Sequence, residues 1–248
     1  MTTMTITNAM VLAAGLGTRM RPITDTIPKP LVQIAGKPMI DYVLDALVEA
    51  GAERIVVNVH HHAEQMVAHL QRRADAEILI SDERSQLMNS GGGLAKGLKL
   101  LEPGPVFVMN ADLFWIGEQL HVASNLRKLA QFFDSGRMDM ALLCVDMHQT
   151  TGHNGKRDFN LAEDGRLTRH REGDTNPVVY AGAIAMDSRL LDDAPTDAFN
   201  LNIYFDRAIE KARLYGLPLD GHWITVGTPD AIDDAENIIR QFREKRSA

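Results

Sequence analysis

The chain has 248 residues, of which 45% are hydrophobic and 24% are charged, and its formal net charge is -7. These values are typical of a globular protein, and the negative charge argues against a nucleic-acid partner, which would favour a basic surface. No apolar run reaches the length of a membrane span, and the first residues, MTTMTITN, lack the charged and apolar regions of a secretory signal. The single cysteine, Cys144, excludes an intrachain disulfide and suits a reducing compartment. We therefore expect a cytoplasmic protein without a membrane partner.

The first half of the chain alternates strand-like and helix-like segments. β-Branched and apolar runs predict strands, and apolar residues spaced three or four apart predict helices. One helix is bounded by Pro38 at its start and by Gly51 at its end. Alternation of this kind is typical of a parallel sheet with helices on its faces. The predicted strands are 9–14, 55–59, 77–81 and 106–109, and the predicted helices are 39–48, 66–70 and 93–101.

The second half is less regular. It contains a long polar, turn-rich segment, 148–174, between two apolar runs. No linker or internal repeat divides the sequence, so we expect a single domain over residues 1–248. The predicted strands are 140–145 and 178–186, and the predicted helices are 124–133, 202–215 and 229–246.

A glycine-rich loop, LAAGLGTRMRPITDTIPKPL, follows the first predicted strand at Leu12. It has neither the P-loop spacing nor the third glycine of a dinucleotide fingerprint, and an isolated G-x-G can simply mark a turn. Pro28 and Pro30 restrict the backbone on both sides of Lys29, so this cation is held on a stiff segment. Backbone N–H groups beside cations suit a triphosphate. The loop therefore predicts an enzyme that acts on nucleotides.

Asp112 follows the predicted strand 106–109 directly. Ligands of open α/β sheets bind at the carboxyl ends of the strands, and a carboxylate there is suited to a divalent metal. The structural alternative is an aspartate that caps a turn or a helix. The glycine-rich loop upstream favours the interpretation of Asp112 as a metal ligand.

The pattern G-x-G-T-R followed by P-K-P resembles the signature of the sugar-phosphate nucleotidyltransferases. The resemblance implies an α/β fold, a Rossmann-like three-layer sandwich with a mixed, mostly parallel sheet. It implies a nucleotide-binding half over about 1–120 and a sugar-binding half over about 121–248. It also implies Mg²⁺ as cofactor, with an NTP and a sugar 1-phosphate as substrates. A monomer or small homo-oligomer is expected.

The resemblance assigns roles to individual residues. Arg19 is expected to bind the leaving β- and γ-phosphates, Lys29 the α-phosphate, and Asp112 the Mg²⁺. The sugar is expected at Asn160, Glu172 and Gly182, although a surface position suits Glu172 equally well. The expected nucleotide contacts are Leu12, Ala13, Ala14, Gly15, Gly17, Thr18, Gly92 and Gly93.

Three positions depart from the family pattern. Asn89 stands where the family usually has Glu before the glycines, and Asn160 stands where it often has Gly. Thr225 replaces the aspartate that is the second metal ligand in the family. Water could fill that ligand position, Asp220 could substitute, or metal binding could be weaker; Mg²⁺ commonly keeps several waters, which favours the first explanation.

These observations support a nucleotidyltransferase that forms an NDP-sugar and pyrophosphate. Resemblance to short family members favours UTP with N-acetylmuramate 1-phosphate, in cell-wall recycling. Transfer of a guanylyl group to mannose 1-phosphate is one alternative, and transfer of CMP to a non-sugar phosphate such as phosphocholine is another. The non-enzymatic alternative is a catalytically silent protein that binds sugar nucleotides. It is suggested by three residues that depart from the family pattern, Asn89, Asn160 and Thr225.

Overall fold

The computed structural model describes residues 5–247. The helices are α1 (Met39–Ala50), α2 (Ala63–Leu70), α3 (Asn89–Leu98), α4 (Asn125–Phe132), α5 (Asn202–Glu210) and α6 (Ala231–Ser247). The strands are β1 (Asn8–Leu12), β2 (Gln33–Ile34), β3 (Lys37–Pro38), β4 (Arg54–Val59), β5 (Glu77–Asp82), β6 (Pro105–Asn110), β7 (Leu113–Ile116), β8 (Met140–Val145), β9 (Thr150–Thr151), β10 (Phe159–Leu161), β11 (Leu167–Arg169), β12 (Pro177–Asp187), β13 (Leu214–Pro218) and β14 (His222–Thr225).

A mixed sheet runs through the centre of the molecule. Its strand order is β11-β10-β12-β6-β1-β4-β5, with β8 beside β12 and β13 beside β8. Strands β6, β1, β4 and β5 are parallel, whereas β12 runs antiparallel to both β6 and β8. The chain passes from β1 to β4 on one side and returns to β6 on the other. The carboxyl ends of β1 and β6 therefore form the topological switch point where ligands of such sheets bind.

Helices cover both faces of the sheet. Alternate residues of β1 point to opposite sides, with Ala9 and Val11 in one buried cluster and Met10 in the other. The first cluster includes the apolar faces of α1, α2 and α4, and the second includes those of α3 and α5. The predicted Rossmann-like α/β fold with a mixed sheet is confirmed. None of the helices within residues 5–247 is both long and apolar enough to cross a membrane.

A smaller apolar cluster joins the first loop to the end of the chain. Met20 and Val32 pack with Phe114, Ile224 and Ile239. The N–H of Ala35 donates to the carboxylate of Glu236 on α6 at 2.8 Å. The C-terminal helix thus stabilises the loop that follows β1.

The predicted start of α3 at Gly93 is wrong. The helix begins at Asn89, so the three glycines lie within its first five residues. The N–H groups of Gly91 and Gly92 donate to the carbonyl of Phe199 at 2.9 and 3.2 Å. Glycine has a low helix propensity, which favoured a loop in the sequence, but this tertiary contact overrides it.

The predicted helix over 202–215 is also too long. Helix α5 ends at Glu210, Ala212 takes a left-handed φ of 54°, and the N–H of Arg213 donates to the carbonyl of Ala208 at 2.7 Å. Leu214–Pro218 then forms β13, parallel to β8. The apolar residues at this point fit a helix or a strand equally well, and only pairing with a distant strand decides between them.

Candidate active site

The loop after β1 contains a tight turn that requires glycine. Gly17 has φ 63°, and a Cβ there would lie 3.0 Å from both the Lys29 Cβ and the Thr24 Cγ2. The hydroxyl of Thr24 donates to the Gly17 carbonyl at 2.8 Å. Because an L side chain is strained at this φ and has no room, the glycine lets Lys29 approach the backbone of the loop. Gly15 lies on the exposed part of the loop, as does Thr18.

Lys29 and Asp112 form a short ion pair at the switch point. The Lys29 Nζ lies 2.5 Å from the Asp112 Oδ2. The lysine side chain is only 10% exposed, whereas the aspartate side chain is 35% exposed. The stiff segment around Lys29 therefore positions a buried cation, and Asp112 remains open to a ligand. A buried lysine is rarely left without a charged partner, and a substrate phosphate can serve as a second one.

Arg19 lies on the same side of the molecule. Its guanidinium is exposed and its Nη1 lies 3.3 Å from the position that a Cβ on Gly227 would occupy. Gly227 follows β14 by two residues, so Arg19 lies close to the segment that contains Thr225. The structure therefore brings two of the three predicted catalytic residues, Lys29 and Asp112, into contact, and places Arg19 beside the Thr225 segment.

Thr225 lies next to Asp112 across a strand pair. Strands β7 and β14 are antiparallel, with Leu113 opposite Thr225, so Asp112 is one residue from this register position. Asp220 lies beyond the opposite end of β14, where its Oδ2 is 3.1 Å from the Lys128 Nζ. The suggestion that Asp220 replaces the missing ligand is therefore wrong.

The residues present fit a magnesium ion with few protein ligands. Asp112 offers a partly exposed carboxylate, and the backbone of Thr225 lies one register position from it. Within residues 5–247 no three His, Cys, Asp or Glu side chains gather as a metal-binding group. Mg²⁺ is commonly held by one or two carboxylates together with substrate phosphates and water, and this donor set meets that requirement.

Two adjoining cavities open beside the switch point, with volumes of about 260 and 220 Å³. Both are lined by Leu12, Ser90 and Asn110. The first also contains Ala14, Gly15, Asn58, Glu83, Leu87 and Asn89, and is called the loop cavity below. The second also contains Asp158, Phe159, Arg169, Tyr180, Asn200, Leu201, Asn202 and Phe205. A larger cavity of about 450 Å³ lies between α1, β7 and α4, away from Lys29 and Asp112.

The glycines of α3 do not line the loop cavity. Gly92 and Gly93 are buried, and a Cβ on Gly93 would lie 2.6 Å from the Glu83 Oε1. The residues of this segment that face the cavity are Asn89 and Ser90. Asn89 has φ 58°, a conformation that asparagine tolerates better than most residues. The nucleotide contacts expected at Gly92 and Gly93 stay predictions, but their backbone is packed against protein.

The three residues predicted for the sugar are spread over the second half. The Asn160 Oδ1 accepts from the Asn176 N–H at 3.0 Å, and Glu172 is exposed in a turn. Gly182 has φ 80° inside β12, at a shift in strand register, and a Cβ there would lie 2.3 Å from Leu113. Gly182 is thus next to the Asp112 segment, whereas Asn160 and Glu172 do not line either cavity.

Sequence reasoning missed the polar side chains of the second cavity. Arg169 donates to Asp206 at 2.8 Å and to the Asn202 side chain at 2.9 Å. Asp158 accepts from the Tyr180 N–H at 2.9 Å, and burial raises the pKa of the Tyr180 phenol. These residues come from the position before β10, from β11, from β12 and from α5, and no local spacing in the sequence connects them.

Comparison with known proteins shows the family to which this chain belongs. Residues 8–154 match the family described as nucleotidyl transferase. The chain belongs to the nucleotidyltransferase family. It is 40% identical over 227 residues to the N-acetylmuramate alpha-1-phosphate uridylyltransferase of Caulobacter vibrioides, a match that covers 90% of this chain and 93% of the relative. The resemblance read from the loop is confirmed.

Further relatives of this nucleotidyltransferase are named for other substrates. The mannose-1-phosphate guanylyltransferase catalytic subunit beta of Drosophila pseudoobscura pseudoobscura is 28% identical, over 97% of this chain and 65% of the relative. The solved inositol-1-phosphate CTP transferase from T. maritima has a TM-score of 0.76 and 16% identity, with 97% of each chain covered. This structural likeness shows the shared fold.

Proposed function

We propose that this nucleotidyltransferase joins UTP and N-acetylmuramate 1-phosphate to UDP-N-acetylmuramate and pyrophosphate. The contact between buried Lys29 and Asp112, at the switch point of the sheet, carries the proposal. The choice of substrates is supported by 40% identity to the Caulobacter enzyme over nearly the full length of both chains. The proposal includes Mg²⁺ as cofactor, a cytoplasmic location and a role in cell-wall recycling.

The reaction needs charge neutralisation and alignment more than covalent help from the protein. An oxygen of the sugar phosphate attacks the α-phosphorus of UTP, and the bond from that phosphorus to the bridging oxygen breaks. The leaving pyrophosphate carries away the electron pair of that bond. In this proposal Lys29 binds the α-phosphate and Arg19 binds the β- and γ-phosphates as negative charge develops there. Asp112 would hold Mg²⁺, which would neutralise phosphate charge.

The Lys29–Asp112 ion pair favours a catalytic role over nucleotide binding without turnover. The lysine is 10% exposed and lies 2.5 Å from a strand-end carboxylate, where the proposed reaction needs a cation for the α-phosphate and a carboxylate for Mg²⁺. Three residues depart from the family pattern, namely Asn89, Asn160 and Thr225. None of them belongs to this ion pair. The neutral Thr225 hydroxyl is compatible with Mg²⁺ because waters and phosphate oxygens complete its octahedron.

A substrate screen tests the proposal. The purified protein is incubated with Mg²⁺, each of UTP, GTP, CTP, ATP and dTTP, and each of N-acetylmuramate 1-phosphate, mannose 1-phosphate and N-acetylglucosamine 1-phosphate. Pyrophosphate release is expected with UTP and N-acetylmuramate 1-phosphate above all other pairs. GTP with mannose 1-phosphate as the preferred pair would establish the alternative substrates. Binding of nucleotide in calorimetry without pyrophosphate from any pair would overturn the enzymatic proposal.

A further inference from the structure

A buried carboxyl group connects the phosphate-binding loop to the start of α3. Glu83 follows β5 and its side chain is fully buried. Its Oε1 accepts from the Asn58 Nδ2 at 2.6 Å, and its Oε2 accepts from the Met88 N–H at 3.0 Å. The Oδ1 of Asn58, itself buried, accepts from the Ala13 N–H at 2.6 Å. The connection therefore runs from Ala13 through Asn58 and Glu83 to Met88.

The orientation of the Asn58 amide is fixed from both sides, by the Ala13 N–H and by Glu83. Both carboxyl oxygens act as acceptors, so the Asn58 amide must present its NH₂ group to Glu83. Its carbonyl oxygen then faces Ala13, whose N–H is a donor. If the Asn58 amide were flipped, its NH₂ group would face the Ala13 N–H, so that two donors would meet. Its carbonyl oxygen would face the Glu83 carboxyl oxygen, so that two acceptors would meet. The carboxyl group thus supports the one orientation in which this amide accepts from the loop.

The absence of a side chain at Gly93 belongs to the same arrangement. A Cβ there would lie 2.6 Å from the Glu83 Oε1 and 2.7 Å from the Asn58 Nδ2. Glycine at the fifth residue of α3 therefore leaves room for the carboxyl–amide contact. The cost in helix propensity is offset by this packing.

The connected segments both line the loop cavity. Ala14 and Gly15, which follow Ala13, form one of its walls, and Asn89 and Ser90, which follow Met88, form another. We propose that Glu83 is a positioning residue, which fixes the distance between these walls through Asn58 and thereby the affinity for the nucleoside triphosphate. The kinetic part of this inference depends on the proposed function, because it treats the loop cavity as part of the nucleotide site.

A swap of the carboxyl and amide groups tests the inference. In E83Q the new amide brings a donor against either Asn58 or Met88, and in N58D two carboxyl groups face each other. In the double variant N58D/E83Q, the amide oxygen at position 83 accepts from Met88, and the NH₂ group at position 83 donates to the new carboxylate at position 58. That carboxylate also accepts from Ala13. Every donor and acceptor is paired again, with the charge moved from one side chain to the other.

Three measurements are made on each variant: the KM for UTP, kcat, and amide hydrogen exchange at Ala13 resolved by NMR. For E83Q we expect KM to rise by about tenfold, the scale of one unpaired buried donor, with kcat changed by less than about threefold. Exchange at Ala13 is expected to accelerate by about tenfold in the same variant. The double variant should return KM and exchange to within about threefold of the wild type.

Ser81 provides a matched control on the same strand. It is buried in β5, and its hydroxyl has no hydrogen-bond partner among the described residues. S81A therefore removes a polar atom near Glu83 but leaves the hydrogen bonds from Ala13 to Met88 in place. S81A should leave KM and Ala13 exchange unchanged. A purely structural role would lower the melting temperature of E83Q and leave both readouts at the wild-type value, which would overturn the inference. Failure of the double variant to restore them would also overturn it.

The exchange measurement separates this inference from the proposed reaction. It needs no substrate, so it can be made even if no NTP and sugar-phosphate pair releases pyrophosphate. Inactivity with faster Ala13 exchange in E83Q, and recovery in the double variant, would contradict the proposed function alone. Normal activity with unchanged Ala13 exchange in E83Q would contradict the positioning role alone.

Discussion

Lys29 illustrates how a local sequence feature becomes part of a site. Its flanking prolines predict a stiff segment, and the structure shows a buried ammonium against Asp112, 83 residues further along the chain. Gly17 makes this approach possible because a side chain there would collide with the Lys29 stem. The positions of both charges are thus fixed by backbone features near them.

Substitution at this pair should reduce turnover without unfolding the protein. We expect K29A and D112N each to lower kcat by at least about tenfold, the effect of about 1.4 kcal/mol of lost transition-state stabilisation. Steady-state pyrophosphate release measures the effect, with circular dichroism to verify the fold. Near-wild-type rates for both variants would contradict the assigned roles.

The surface pair Lys37–Asp45 is the matched control. It also joins a lysine to an aspartate, but its side chains are 35% and 48% exposed and it lies at α1. Exposed ion pairs contribute little to stability. K37A should therefore retain wild-type turnover, and a loss equal to that of K29A would indicate a general electrostatic effect.

Replacement of Thr225 by aspartate should strengthen the binding of Mg²⁺. T225D restores a carboxylate one register position from Asp112, so Mg²⁺ affinity of the complex with a non-hydrolysable UTP analogue should rise by about tenfold. Titration calorimetry with Mg²⁺ measures this. T228D places the same charge three residues away on an exposed position and should have a smaller effect. Equal affinities for T225D and the wild type would show that Thr225 does not face the ion.

At the scale of elements, the small sheet β7-β14-β9 holds the Thr225 segment beside Asp112. His222 on β14 contributes a side-chain contact, because its Nε2 lies 2.8 Å from the Thr151 hydroxyl of β9. Burial lowers the pKa of His222 below its ordinary 6.5. Burial also lowers the pKa of His153, whose ring lies against Trp223. Both histidines are therefore favoured in their neutral form in the folded protein.

This shift predicts a loss of stability in weak acid. Between the lowered folded pKa and the ordinary value of 6.5 the unfolded chain binds more protons than the folded one, so the free energy of unfolding falls as pH decreases through that window. Urea unfolding between about pH 8 and about pH 5 measures the slope. H222N should reduce the slope below about pH 6.5 and leave the slope between about pH 7 and about pH 8 unchanged. An identical slope in both proteins would contradict the role of His222.

Helix α3 shows why the first residue of a helix could not be predicted from the sequence. A run of three glycines indicates flexible backbone, so the sequence predicts a helix that begins only at the last glycine, Gly93. In the structure Phe199 and Glu83 occupy the space that side chains would need, and the Phe199 carbonyl accepts from two of the glycine N–H groups. A contact between segments about a hundred residues apart thus turned a predicted loop into the first turn of a helix.

At the scale of the whole molecule, β12 joins the two halves of the chain. It pairs with β6 from the first half and with β8 from the second. The apolar cluster under α6 then ties the last helix to the first loop. The single domain stays a prediction, and these shared contacts support it because one nine-stranded sheet contains strands of both halves.

The sequence by itself determined the alternation of strands and helices, the loop with Lys29 and the aspartate at the end of β6. These features depend on spacing between near neighbours, which hydrophobic periodicity and the restrictions of proline and glycine make visible. Only the tertiary structure decided that Ala13 is held by Asn58, that Asp220 lies away from Thr225, and that Arg169 lines a cavity. Those outcomes depend on which distant segments the sheet order brings together, and no local pattern records that choice.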